Sequence, residues 1–398
     1  MTDMTLDDLN APLIHAVNDL SEAGLTPPQD RHGQSVRAWI RSLHGVQKEG
    51  VTLSGRSGRA WRFASDEGKH LNGFDAAPNP LSYVAVGMAG AIMTELLALA
   101  AARGITLTDP VLVLENFYYR DGSFPKGTMI SGALPPEVSL DCDSDAEDDA
   151  LYHLLMDAVA AAPVNGLVRD EKISLFTLTH NGRRITPDPL AALSGDALPD
   201  PGDPIAGLSR PGIDAAPVLA EKTLSEEDMS ERIAAAPPAA PTLDGSKKLL
   251  HLRTRCRLRA DGTYHCLREQ FAQSSSSWEF VVDDRDGDGA IAPDPASYFA
   301  IGVAFCFMTQ IGRFAHMAKH PLHAYRVVQD MHFTPGGASG RTGRGGTADP
   351  VESHVFMDSD CDDATARDIM RVAERTCFLH ALCRDRSRIR LRRRPIGA

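Results

Sequence analysis

The sequence runs through one pattern twice. Ala77 to Thr94 reads APNPLSYVAVGMAGAIMT and Ala292 to Thr309 reads APDPASYFAIGVAFCFMT, with identities at Pro80/Pro295, Ser82/Ser297, Tyr83/Tyr298, Gly87/Gly302, Met93/Met308 and Thr94/Thr309. The offset of 215 also pairs Gly122 with Gly337, Asp143 with Asp358, Asp148 with Asp363 and Arg169-Asp170 with Arg384-Asp385. A repeat of this length means that one supersecondary plan is used twice, so any fold has to accommodate two similar units. Its 398 residues leave room for two full cores.

Within each unit the hydropathy pattern predicts a β-rich start, a long apolar helix, a strand pair, a second helix and a final strand. In the first unit the strands are expected near VRAWIRSL, GVTLSG, AWRFA, PVLVLENFYY, PPEVSLD and EKISLFTLT, with helices from about Pro80 and over Asp145 to Ala161. The acidic runs SDAEDD and DCDDAT suit helix starts, through capping and the macrodipole. The pattern is α+β, with helices packed on mainly antiparallel sheet. The expected layout is an N-terminal extension over 1–45, a first domain over 46–185, a Pro/Ala/Gly-rich linker over 186–246 and a second domain over 247–398. The stretch Tyr83 to Ala102 is long enough to span a membrane. Its copy carries Gln310 and Arg313, so both helices are read as buried core helices and no membrane partner is expected.

Lys plus Arg number 41 against 53 Asp plus Glu, a formal charge of −12, which argues against a general nucleic-acid surface. Seven cysteines are too few and too uneven for a disulfide framework, and the acidic N-terminus is unlike a secretion signal, so a reducing cytoplasm is expected. Two cysteines stand out. Cys306 lies in the second apolar helix and Cys377 ends the helix that follows, whereas the first unit has Ala91 and Ala162 at the same offset. Two thiols present together in one unit and absent together in the other suit a paired chemical role.

A Pro-initiated helix carrying Cys before Met-Thr, then a helix ending Ala-Glu-Arg-Thr-Cys, resembles the OsmC and organic hydroperoxide resistance (Ohr) proteins. Ala162-Pro163-Val164 keeps the Pro-Val that follows the second cysteine in that family. The resemblance implies two OsmC-like domains folded as an intramolecular pseudo-dimer with one thiol site kept. It implies Cys306 as the peroxidatic thiol of a thiol peroxidase and Cys377 as the resolving one. The substrate would be an organic hydroperoxide and the reductant a dithiol of lipoyl type. No cofactor or metal is implied. The family's catalytic arginine sits in a Gly-Arg-x-Gly turn, for which Arg259 of the second unit and Arg56 in Gly55-Arg56-Ser57-Gly58 are the candidates. The family's Glu after the helix-starting Pro is Ala296 here, and Leu81 in the first unit. That departure keeps two alternatives open: Cys306 as a nucleophile toward a small sulfur compound, and a ligand-binding protein without chemistry.

Four further motifs are weaker. The run from Asp284 to Ile291 resembles a calcium loop but has Pro295 at the twelfth position, where a bidentate Glu is needed. His316, His320 and His323 lie near Pro321, with no carboxylate at a telling spacing. The glycine-rich stretch 334–350 lacks a Gly-Lys-Ser/Thr ending and reads as a loop at the site entrance. The basic tail Arg386 to Pro395 reads as an edge strand or an anion contact.

Overall fold

The computed structural model describes residues 4–18, 20, 23–123, 126–195, 197–235, 239–245, 247–272, 275–285 and 287–393. In chain order the first unit contributes α1 (Leu6–Leu9), β1 (Ile14–Val17), β2 (Gln34–Ser42), β3 (Lys48–Ser54), β4 (Ala60–Ser65), α2 (Pro80–Arg103), β5 (Leu107–Asp121), β6 (Ile130–Ser144), α3 (Asp148–Ala161), α4 (Asn165–Arg169), β7 (Leu175–His180) and β8 (Arg183–Ile185). Then follow β9 (Ala220–Leu224), α5 (Glu226–Ala235), β10 (Lys248–Leu258), β11 (Tyr264–Gln270), β12 (Ser277–Val282), α6 (Pro295–Met317), β13 (Leu322–Phe333), β14 (Glu352–Ser359), α7 (Asp363–Thr376), α8 (Phe378–Arg384) and β15 (Arg390–Leu391). This is the α+β class expected from the sequence.

Each sheet is completed by strands of the other unit. One runs β1-β4-β3-β2-β13-β14-β7-β8 and the other β15-β6-β5-β10-β11-β12-β9. The seams β2–β13 and β10–β5 are antiparallel, and each carries the same cross-unit ion pair. Arg37 faces Asp330, with Nε 2.7 Å from Oδ1. Arg253 faces Glu115, with Nε 2.6 Å from Oε1. The strand that follows each unit's last helix also joins the other unit's hairpin in parallel, β7 on β14 and β15 on β6.

Both central helices start in the same way. Pro80 and Pro295 occupy the first turn, while Asn79 and Asp294 accept the amide hydrogens of Ser82 and Ser297 at 3.2 and 2.9 Å. A proline with its preset φ and a capping oxygen fix where each helix begins. The helices then cross backbone to backbone. A Cβ on Gly87 would lie 2.6 Å from the Pro295 carbonyl oxygen, and one on Gly302 would lie 2.8 Å from that of Pro80. Around the crossing, Tyr83 and Tyr298 stack with centroids 6.2 Å apart, flanked edge-on by Phe63 and Phe280. The two long apolar helices are thus largely buried between the sheets.

Residues 1–45 are more than an extension, since β1 and β2 are strands of the first sheet. The Pro/Ala/Gly-rich stretch is also more than a tether. Its β9 pairs with β12, and Ile205, Leu208 and Met229 are buried against folded surface. Single apolar side chains seated on existing sheet faces order a segment too poor in apolar residues to form its own core.

His380 of α8 lies between Phe176 and Phe307, 1% exposed, with no polar partner for either ring nitrogen among the described residues. Burial lowers its pKa to about 3.

Two outcomes follow from this packing. Gly302→Ala or Gly87→Ala should lower stability in urea by about 1–3 kcal/mol, because overpacking at a backbone contact outweighs the ~1 kcal/mol helix gain of Ala over Gly. A stabilised variant would refute the close crossing. The second outcome concerns acid. The unfolded chain protonates His380 below pH 6.5 and the folded chain does not until about pH 3. Stability is therefore lost as pH falls through that window, by about 1.4 kcal/mol per unit at this residue. His380→Leu should flatten the fall in urea midpoint measured from pH 6.5 to 4.

Candidate active site

Cys306 sits at mid-helix in α6, 3% exposed, and lines a cavity of about 280 Å³. Cys377 caps the junction of α7 and α8 and is fully buried. The two side chains, 71 residues apart in sequence, are close enough to interact, and no disulfide joins them. Burial pushes the Cys377 thiol well above its ordinary pKa, and the neighbouring Cys306 sulfur adds to this. The amides of Leu379 and His380 at the start of α8 act in the opposite direction. The end of α7 is held by the first unit, with Ser131 Oγ donating to Thr376 O at 2.8 Å and Arg375 donating to Gly127 O at 2.6 Å.

The cavity is a seam between the units. Glu67, Arg120 and Met129 come from the first; Cys306, Gln310 and Arg313 come from the second. Positions 306, 310 and 313 lie on one face of the helix. Arg313 donates to Gln310 Oε1 at 3.0 Å. Burial lowers its pKa, while Glu67 and a Cys306 thiolate oppose the fall and Arg120 adds to it. Lys48, 1% exposed, stands 3.6 Å from Glu67 and donates to Val46 O. Burial draws its pKa down, and Glu67, Asp66 and Cys306 draw it up. Thr309 Oγ1 donates to Glu67 Oε1 at 2.9 Å. Tyr118 of β5 is fully buried with no hydrogen-bond partner for its hydroxyl among the described residues, and lies within electrostatic range of Cys306, Cys377 and Cys383. A second cavity of about 550 Å³ shares His70, Leu71 and Arg313 with the first. The arrangement can hold an anionic or dipolar group beside a thiol under an apolar wall.

The structure brings Cys306 and Cys377 together and places the two expected arginines elsewhere. Arg259 lies in the β10–β11 turn, about half exposed, 3.7 Å from Asp261. That turn corresponds to β2–β3, whereas Arg56 lies in the turn after β3. Strand registers equate Ser54 with Gln270, and hence Arg56 with Ala272, which lines the Cys306 cavity. Arg56 belongs to the other site. There Ala91 replaces the thiol, and Arg56 donates to Asp284 Oδ1 at 2.7 Å in a cleft of only about 20 Å³. Burial raises the Asp284 carboxyl to about 6, against the pull of Arg56. Asp284 is therefore held in an ion pair rather than turned toward a calcium loop. It is also the counterpart of Glu67, since both are the second acid after the last hairpin strand. The paired acids Asp66-Glu67 and Asp283-Asp284 were the sequence signal for this position; Lys48, Arg120 and Arg313 had none.

The glycine-rich loop lies over this Ala91 site and not at the thiol cavity. Glu95 accepts from the Ala338 and Ser339 amides at 2.7 and 3.2 Å, and a Cβ on Gly336 would overlap Glu95 Oε1 at 1.7 Å. Of the three clustered histidines, His323 pairs with Asp360 at 2.9 Å, while His316 lines the larger cavity. Within the basic tail, Arg390–Leu391 form the edge strand β15, and Arg392 is clamped on Glu137; residues 394 and 395 lie outside the described residues.

Residues 286–392 match the family model of OsmC-like proteins. A crystal structure of an OsmC-like hydroperoxide resistance protein from Jannaschia sp. CCS1 is similar at 18% identity over 38% of this chain and 98% of its own, with a TM-score of 0.26. No curated protein matches the chain. The chain thus carries an OsmC-like domain over residues 286–392, built on the helix that holds Cys306.

Proposed function

We propose that the protein is a thiol-dependent reductase of organic hydroperoxides, acting in a reducing cytoplasm with a small dithiol of lipoyl type as reductant. One observation carries the reading: Cys306 and Cys377 are neighbouring thiols, and Cys306 lines a cavity that also presents Arg313 and Arg120. The Cys306 thiolate attacks the terminal oxygen of R–O–O–H, the O–O bond breaks, and Cys306 becomes a sulfenic acid while the alkoxide takes a proton to leave as ROH. Arg313 stabilises the charge that develops on the departing oxygen. Cys377 then attacks the Cys306 sulfur, water leaves, and a disulfide forms. The external dithiol reduces that disulfide and is itself oxidised.

A second reading, attack of Cys306 on a small sulfur compound, is favoured by one feature. The hairpin guanidinium present as Arg56 at the Ala91 site is Ala272 at the thiol site.

Consumption of cumene hydroperoxide with dihydrolipoamide tests the first reading. Cys306→Ser should abolish turnover, and Cys377→Ser should reduce it to a single equivalent. Arg313→Met should lower kcat/KM at least about tenfold, the loss of one charge-stabilising donor, while Arg56→Met and Arg259→Met stay within about threefold. No turnover by the wild type removes the peroxidase reading. Loss on Arg259→Met in place of Arg313→Met would reassign the cation.

A further inference from the structure

A second cysteine site lies at the other end of α7. Cys361 stands just before that helix and Cys377 at its close, so the 14-residue helix separates them by roughly 21 Å. Cys361 is partly exposed, whereas Cys377 is sealed. Its sulfur is 2.9 Å from Ser359 Oγ and 3.9 Å from His180 Nε2. Ser359 Oγ is in turn 2.9 Å from His180 Nε2, and His180 Nδ1 is 2.8 Å from Asp363 Oδ1. His180 and Ser359 are 3% and 4% exposed, so the relay is built into the fold. Asn181 clamps it from both sides, accepting from the Ser359 amide and donating to the Ser359 carbonyl, each at 3.0 Å.

This is a nucleophile within reach of a base that a third group orients, the arrangement that activates thiols in covalent catalysis. With Nδ1–H donated to Asp363, the Nε2 lone pair faces Ser359. The remaining charged neighbours are Arg183, which also donates to Asp363, the exposed Asp360 paired with His323, and Asp362, which caps α7 by accepting from the Thr365 amide at 2.8 Å. The equivalent turn before α3 keeps Ser144 but has Ala146 where Cys361 stands. The thiol is therefore particular to the second unit.

We propose that Cys361 is a second, independent nucleophilic thiol that captures small disulfides, its proton passing through Ser359 to the Asp363-oriented His180. The thiol proton moves to Ser359 Oγ as the Ser359 hydroxyl proton moves to His180 Nε2, leaving a thiolate beside an imidazolium. The thiolate attacks one sulfur of R–S–S–R. The S–S bond breaks, a Cys361–S–S–R bond forms, and RS⁻ departs to take the proton back from His180. Cys361 is oxidised and one half of the small disulfide is reduced, with no other reactant.

The test uses the reduced full-length protein and glutathione disulfide, with site-resolved mass spectrometry over time and no peroxide. Cys361 should form its mixed disulfide at least about tenfold faster than Cys142, the other partly exposed thiol, and Ser359→Ala and Asp363→Asn should each slow it at least about fivefold. Circular dichroism shows that the variants are folded, and Asp363, at the surface, keeps its shape as Asn. Capture no faster than at Cys142, or a rate unchanged in both variants, overturns the proposal.

Discussion

The exchange of strands between units is the constraint on which the rest of the structure depends. Neither sheet closes from one unit: β2 needs β13 and β10 needs β5, and the ion pairs Arg37–Asp330 and Arg253–Glu115 sit at equivalent points of the two seams. Pairing through the middle of a sheet satisfies backbone groups that would otherwise form two open edges. It also places the loops of one unit over the central helix of the other. That is why Glu67, Lys48 and Arg120 of the first unit surround a thiol of the second.

Two similar units in one chain need not carry identical sites, and here the two differ in complementary ways. One site has a hairpin arginine, Arg56, on a carboxylate, Asp284, with alanines at the two thiol positions; the other has both thiols and the carboxylate, Glu67, with Ala272 at the arginine position. At the thiol site a cation comes from the helix itself, as Arg313, two turns beyond Cys306. The glycine-rich loop fills the space over Ala91, gripped by Glu95, whose counterpart at the thiol site is Gln310. A cavity of about 280 Å³ on one side and a cleft of about 20 Å³ on the other show how far the two have parted.

Most of this plan was legible in the sequence. The offset of 215 located both central helices, their prolines, the Gly87/Gly302 crossing and the Cys306/Cys377 against Ala91/Ala162 contrast, because helices pack in fixed register and tolerate no slip. The arginines were not legible. The turn after β3 spans residues 55–59 and the turn after β11 spans 271–276, so the offset shifts to 216 and then 217 within the hairpins. A fixed offset cannot follow a loop of changed length, and Arg259, the candidate in the unit that holds the thiols, lies in a different turn from Arg56. The relay at Cys361 was invisible for another reason: His180 and Asp363 are 183 residues apart and meet only because β7 runs parallel to β14. The ordered path of residues 205–229 escaped composition arguments because a few buried side chains, not average hydropathy, decide whether a segment docks.

The central claim is that Cys306 and Cys377 form one redox pair at the seam. Treating the reduced protein with a single equivalent of cumene hydroperoxide, then quenching with alkylating reagent and mapping peptides, tests it most directly. The account predicts a Cys306–Cys377 disulfide as the dominant product, with Cys256, Cys266 and Cys383 alkylated as thiols. Recovery of Cys306 unoxidised, or its disulfide with any other cysteine, would contradict it.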